Sequence, residues 1–248
     1  MKSFYILFQQ ELHKLVRQAS TYFIAAVFLA LMGFNFIYIL FLNTQSNEVS
    51  NYLQNFFEIF WLPTLFIIPL ISMRTLSEEQ RSGILETLLA TPISTGTLVL
   101  SKFLSTYIFY IFLWTCCLFF PYFTHCYLNS TFSLKLINTT TLYGGLIFIL
   151  SSSFLFIAMG IFASSLTKTQ ALAGFLGFSF LFVLLIGIKS ILEIYPISPE
   201  YSVYIDFFET LNNLCEGLLD TRPVVFHLIG GCLLLMLTTN MIENKMLQ

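Results

Sequence analysis

The sequence predicts an all-α integral membrane protein with six transmembrane helices, and three observations carry that prediction. The chain of 248 residues is 57% hydrophobic and only 10% charged, with a mean hydropathy of +0.83, whereas an average soluble domain is about 25% charged. Apolar runs recur at close to the length of about 20 residues that a helix needs to cross the hydrocarbon core. The charges that remain collect in a few segments between those runs. This composition excludes a soluble fold, and 29 Phe residues suit a surface that faces lipid. A net charge of −2 carries no sign of nucleic-acid binding.

The expected spans are residues 22–42, 57–73, 103–122, 142–166, 171–188 and 224–241, within one transmembrane domain covering 1–248. The first run is too long for the core of a signal peptide, about 7–15 residues, and no small-x-small cleavage pattern follows it. It is expected to be a retained span. The second is short and contains Pro63 and Pro69, so a kinked helix, or one joined to Tyr52–Glu58, is expected there.

Lys and Arg set the orientation. With a cytosolic N-terminus the inner segments hold eight of them: Lys2, Lys14, Arg17, Arg74, Arg81, Lys102, Lys168 and Lys245. The outer segments hold three, Lys135, Lys189 and Arg222. Both termini are therefore expected in the cytosol. Residues 3–18 repeat Phe4, Leu7, Phe8, Leu12, Leu15 and Val16 at helical spacing, with His13, Lys14 and Arg17 off that stripe. An amphipathic helix lying in the membrane interface is expected, which is compatible with simple positive-inside anchoring.

Residues 189–222 form the expected outer segment. Tyr201, Tyr204, Ile205, Phe208, Leu211, Leu214 and Leu218 recur at three and four, and Ser198-Pro199 has the form of a helix start. Short helices dipping into the outer leaflet without crossing it are predicted. Of five Cys, Cys116, Cys117 and Cys232 fall in spans as packing residues, while Cys126 and Cys215 fall in outer segments where they can pair in an oxidising compartment.

Enzyme chemistry finds little support. The spans contain almost no ionisable residues, His125 and His227 lack a carboxylate at ligand spacing, and neither HExxH nor GxSxG occurs. Glu78-Glu79 fits the start of the EExxxR pattern of membrane-embedded prenyl-protein proteases, but Gly83 stands where Arg is needed. Pro121 and Pro223 stand where that pattern needs Phe, four residues before each outer His. Gly96 to Phe103 has the outline of a phosphate loop, yet Ser101 replaces the second Gly and Phe103 the magnesium-binding hydroxyl. The chain is expected to be non-catalytic and to bind no metal or cofactor.

The most informative stretch is the expected inner loop 74–101 with its flanking Lys102. Arg74, Glu78, Glu79, Arg81, Glu86 and Lys102 fall within 29 residues of a chain that otherwise avoids charge. Glu78 to Arg81 is expected to extend the second span as a helix. Gly83 allows a turn, after which Ile84, Leu85, Leu88 and Leu89 make an apolar face over about two turns, with Glu86 and Thr87 opposite. Thr91-Pro92 ends that helix, and Ser94 or Thr95 caps the next. A short amphipathic helix flanked by charge can slot into a groove on a soluble partner. It can equally be a solvated connector with one buried face.

Read as R-x3-EE-x-RSG-x2-E-x-LL-x-TP-x9-K, Arg74 to Lys102 resembles the cytosolic coupling segment of ABC type-2 transporter permeases. The subgroup it most resembles is the six-span permeases of gliding-motility and nitrous-oxide-reductase-maturation systems. Ser198-Pro199 and Leu219-Asp220-Thr221-Arg222 are similar to that subgroup too. Ile84 departs from the Thr usual after Gly, and Ser101 from the Gly usual before Lys.

The resemblance implies a multi-pass subunit of the inner or cytoplasmic membrane that pairs with a second permease protomer and with cytosolic ABC ATPase subunits carrying ATP and Mg. Glu78, Glu79, Arg81, Gly83, Glu86, Leu89, Pro92 and Lys102 would then lie in or near the ATPase-coupling helix. Protomers would meet along spans one and five, where Ala173, Gly174 and Gly177 offer a small-residue face; packing within one protomer is the alternative. The implied function is export driven by ATP. A haem-export-type permease, with His125 and His227 as outer contacts, and a non-transporting scaffold of a motility or secretion apparatus are the alternatives.

Overall fold

The computed structural model describes residues 2–45, 52–89, 93–127, 138–194 and 204–246. Among them no strand occurs. Five helices are long and apolar enough to cross a membrane, covering Ala19–Phe41, Thr95–Thr124, Thr139–Leu166, Gln170–Ile194 and Thr221–Lys245. The expected second span is a bent pair, Tyr52–Glu58 with Trp61–Ser82, broken by 41°. With that pair as one span, the total is the six that the apolar runs predict.

In chain order, α1 is Lys2–Arg17, α2 Ala19–Gln45, α3 Tyr52–Glu58 and α4 Trp61–Ser72. Then come α5 Ser77–Ser82, α6 Ile84–Leu89, α7 Thr95–Cys117 and α8 Phe119–Tyr127. The remainder is α9 Thr139–Leu166, α10 Gln170–Phe182, α11 Ile188–Ile194, α12 Phe207–Cys215 and α13 Thr221–Met246. A π-helical turn, Val183–Gly187, joins α10 to α11, with the Ile188 N–H donating to Val183 O.

Most helices exceed the predicted spans at one or both ends because capped polar turns extend the apolar runs. Ser94 caps α7, accepting from the Thr97 N–H at 3.4 Å, and Asn138 caps α9, accepting from the Thr140 N–H at 3.2 Å. Pro63 occupies an early position in α4 and Pro69 its interior. The bend falls at residues 59–60, between α3 and α4 and ahead of both prolines, so of the two forms the sequence allows the structure has the join to Tyr52–Glu58.

Helix α9 is the centre of the bundle and packs on α4, α7, α10, α12 and α13. Its surface is two-thirds buried within the chain, against about a fifth for the first and fifth spans, whose outward faces carry Phe23, Phe34, Phe175 and Val183. The close contacts rest on small residues. A Cβ at Gly144 would run into the Leu214 backbone carbonyl, and one at Gly160 into the Ser72 side chain. Two polar contacts bridge helices inside the apolar zone: Thr64 and Tyr110 share a hydrogen bond of 2.8 Å between α4 and α7, and the Tyr107 hydroxyl donates to Leu150 O at 2.9 Å.

Helix α12 covers the end of the bundle formed by α3 and α9, burying Phe207, Leu211 and Leu214. Asp206 caps it, accepting from the Phe208 and Glu209 N–H groups at 2.8 and 3.3 Å. The expected start at Ser198-Pro199 lies outside the described residues. The predicted stripe was drawn too far: the helix stops at Cys215 because Gly217 takes φ +91°, and Leu218 is left exposed. Cys215 is buried as a free thiol; the side chain of Cys126 lies outside the described residues.

Candidate functional site

The charges that the sequence concentrates after the second span converge with both chain ends at one end of the bundle. Helix α4 closes with the Met73 N–H donating to Pro69 O at 2.8 Å. A short turn then redirects the chain into α5. That turn is held from α9: Ser164 Oγ accepts the Leu76 and Ser77 N–H groups at 3.2 and 3.0 Å and donates to Met73 O at 3.2 Å. One hydroxyl thus satisfies backbone groups that the helix break would leave unpaired inside the protein. Glu78 and Glu79 occupy the first turn of α5, where the helix dipole favours carboxylates.

From there the two acidic residues diverge. Glu79 turns inward and is 4% exposed; Lys102, two turns into α7, is 1% exposed. Lys102 Nζ donates to Glu79 Oε1 at 2.6 Å and to Glu11 Oε1 of α1 at 2.7 Å. Lys14 Nζ, also on α1, donates to Glu79 Oε1 at 3.3 Å. Two cations and two carboxylates therefore tie α1, α5 and α7 together. Burial by itself lowers the Lys14 pKa, but Glu79 and Glu11 outweigh it and hold the group above its usual 10.5. Glu79 Oε2 has no hydrogen-bond partner among the described residues. A buried ion network of this kind adds little net stability over an apolar packing, but removing one member leaves a stranded charge.

Glu78 faces a small polar cavity of about 20 Å³, shared with Glu11, Lys14, Gln18, Ser20 and Arg74. Such a volume has room for about one water. Arg74 Nη1 donates to Ser20 Oγ at 2.6 Å, pinning the elbow between α1 and α2. The C-terminal helix joins the same end: Lys245 Nζ donates to Gln80 Oε1 at 3.1 Å and to Ser165 O at 2.6 Å, and Thr95 donates to Glu243.

Apart from Glu78, which lines the small cavity, the predicted coupling residues separate into three groups. Glu79 and Lys102 touch each other in the interior, so any contribution they make to a docking surface is indirect. Arg81 is exposed, and Gly83 takes φ +72° with open space around it, so it makes the turn for which the sequence nominated it. Glu86 and Leu89 lie on α6, but their side chains, like the whole of Pro92, fall outside the described residues. On α6, Leu85 is buried and Leu88 partly so, while Ile84 is exposed.

The small-residue face of span five is used within this chain. Gly177 lies against Pro69 and Ala163, Gly174 against Met73, and Ala173 is 1% exposed. His227 is enclosed too: its ring stacks on Phe207 with centroids 4.9 Å apart, and Nδ1 lies 3.4 Å from Ser151 Oγ. The side chain of His125 lies outside the described residues. Among the described residues no group of three or more His, Cys, Asp or Glu could hold a metal ion.

Sequence reasoning missed Glu11 and the inward role of Lys14. A signal was present: Glu11 sits between Leu7 and Leu15 at four-residue spacing, a carboxylate on the apolar stripe of α1. A charge in that position either faces a partner or breaks the packing.

The model of a known family matches the chain. Described as ABC-2 family transporter protein, it covers residues 7–184, from α1 to the start of the π-helical turn of the fifth span, and includes Glu11, Lys14, Glu79 and Lys102. No curated protein matches the chain. A match over more than two-thirds of the sequence, on a helical bundle with five or six candidate spans, places the chain in the ABC-2 transporter family, as a membrane permease subunit of an ABC transporter.

Proposed function

We propose that this permease serves an ATP-driven exporter of the inner or cytoplasmic membrane. Its closest functional kin would be the six-span permeases of gliding-motility and nitrous-oxide-reductase-maturation systems. It would work as one of two protomers, with α5 and α6 seated on a separate cytosolic ATPase that holds ATP and Mg. The observation that carries this reading is the buried junction of Glu79, Lys102, Glu11 and Lys14. A push delivered to α5 and α6 meets a rigid charged link to α7 and α1. The third span and the interface helix then move with the coupling segment. Exposed Arg81 and, on α6, Glu86 supply the contacts to the ATPase, while Glu79 and Lys102 pass the movement inward. The positive-inside count supports the cytosolic assignment of this end.

The test is affinity purification of the tagged chain in mild detergent with identification of what accompanies it. A stoichiometric P-loop ATPase is expected. Glu86→Lys should reduce its recovery about tenfold or more by placing like charges together, with membrane insertion unchanged. Full recovery with that variant would remove α6 from the interface. Reconstitution with the ATPase separates export from a scaffold role: ATP-dependent movement of cargo across the vesicle is expected, and ATP turnover without movement would favour the scaffold.

A further inference from the structure

A second cavity adjoins the charged junction, sharing Leu15 and Thr21 with the small cavity there, and is otherwise almost wholly apolar. It encloses about 390 Å³ between α1 and the first and third spans, with Leu12, Leu15 and Val16 on one side and Tyr22, Ala25 and Phe112 on the other. Of all its lining residues only Thr21 and Tyr22 carry polar side-chain atoms. No segment among the described residues fills it, and Val16, Tyr22 and Phe112 are exposed there. A helix, at about 10–12 Å across, is too thick to enter; a single hydrocarbon chain is not.

The depth of the groove fixes its surroundings. The first span begins at Ala19, so the elbow Arg17–Gln18 stands at headgroup level and the groove runs from there into the apolar zone. Arg17 is exposed, lies between two groove-lining residues, Val16 and Thr21, and has no ion-pair partner among the described residues. His13 and Lys14 sit on the preceding turn; Lys14 is half-exposed and shared with Glu79. Of the nearby carboxylates, Glu11 is held by Lys102 and Glu78 lines the smaller adjoining cavity. An apolar slot with an exposed cation next in sequence to its wall matches a molecule with a hydrocarbon tail and an anionic head.

We propose that this groove is a binding site for an anionic phospholipid of the leaflet on which α1 lies, one acyl chain filling the groove and the phosphate meeting Arg17. The site is independent of the transported cargo. Occupancy would wedge α1 against the first and third spans and so support the helix that carries Glu11 and Lys14.

The experiment uses the full chain in lipid nanodiscs with phosphatidylglycerol bearing a photoactivatable group in its acyl chain, against phosphatidylcholine bearing the same group. Phosphatidylglycerol should label Tyr22 and Phe112 about fivefold more than phosphatidylcholine, the preference expected of one cation near the surface. Arg17→Gln, at an exposed elbow, should abolish that preference, and Ala25→Phe should reduce labelling by both lipids. Equal labelling by the two lipids in the unaltered chain would reduce the groove to ordinary lipid contact and overturn the proposal. So would a preference that survives Arg17→Gln, or adducts confined to other faces. If Ala25→Phe fails to fold, the Arg17→Gln comparison decides alone.

Discussion

The two ends of this bundle are held by different chemistry. At the end where α1, α5 and α7 meet, the links are ion pairs and hydrogen bonds from charged groups: Lys102 between Glu79 and Glu11, Lys14 on Glu79, and Lys245 donating to Gln80 and Ser165. At the opposite end they are aromatic: Phe207 stacked on His227, Lys189 4.2 Å above the Phe208 ring, and Phe60 edge-on to Phe148. Ionic links are directional and hold one side chain against another at a fixed point. Stacked rings hold their shape over a broad contact. The difference suits the first end to passing a displacement between helices and the second to anchoring.

The largest blow to that contrast should come from Lys102→Met. It strands Glu11 without its cation, leaves buried Glu79 only the half-exposed Lys14, and should cost about 3–5 kcal/mol, read by thermal unfolding in detergent. Adding Glu79→Gln and Glu11→Gln should recover most of the loss; a single variant that unfolds like the parent would mean the network is idle. Next, Gly144→Val drives a side chain into the α12 backbone and should cost about 1–3 kcal/mol, with labelling of Cys215 by a thiol reagent rising as α12 lifts. Unchanged protection of Cys215 would show that α12 is not fixed by this contact. His227→Phe preserves the stack on Phe207 and should change stability by less than about 1.5 kcal/mol. A larger loss would make Ser151 and the imidazole a polar pair that matters, and blur the distinction between the ends. The smallest effect is expected for Arg81→Ala: about 0.5 kcal/mol or less in stability, but lower ATPase stimulation in the reconstituted complex.

Much of the fold was legible because the apolar run lengths match the membrane and the turn chemistry is local. Gly83 turns where its neighbours require, Ser94 caps α7, and the proline-bearing second run is bent. The charged junction was only half legible. Glu79 and Lys102 stand out from their surroundings as a charged loop, but their partnership spans 23 residues and that of Lys102 with Glu11 spans 91. A one-dimensional pattern marks the charges without saying whether they face water or each other. The small residues Ala173, Gly174 and Gly177 illustrate the same limit, since close approach looks alike in sequence whether the neighbour is another protomer or, as here, Pro69 and Met73. The end of α12 was misjudged because hydrophobic spacing continues past Gly217 while the backbone does not.

The π-helical turn at Val183–Gly187 sets the phase of the fifth span. One residue more than an α-helix would use rotates everything beyond it by about 100°. The face bearing Ala173 and Gly177, which fits α4, and the face bearing Lys189, which meets α12, are therefore set independently. Deleting a single residue there would leave an unbroken helix with its first half still docked on α4. Its second half would be turned away from Phe208, releasing the aromatic anchor without touching any residue of the charged junction.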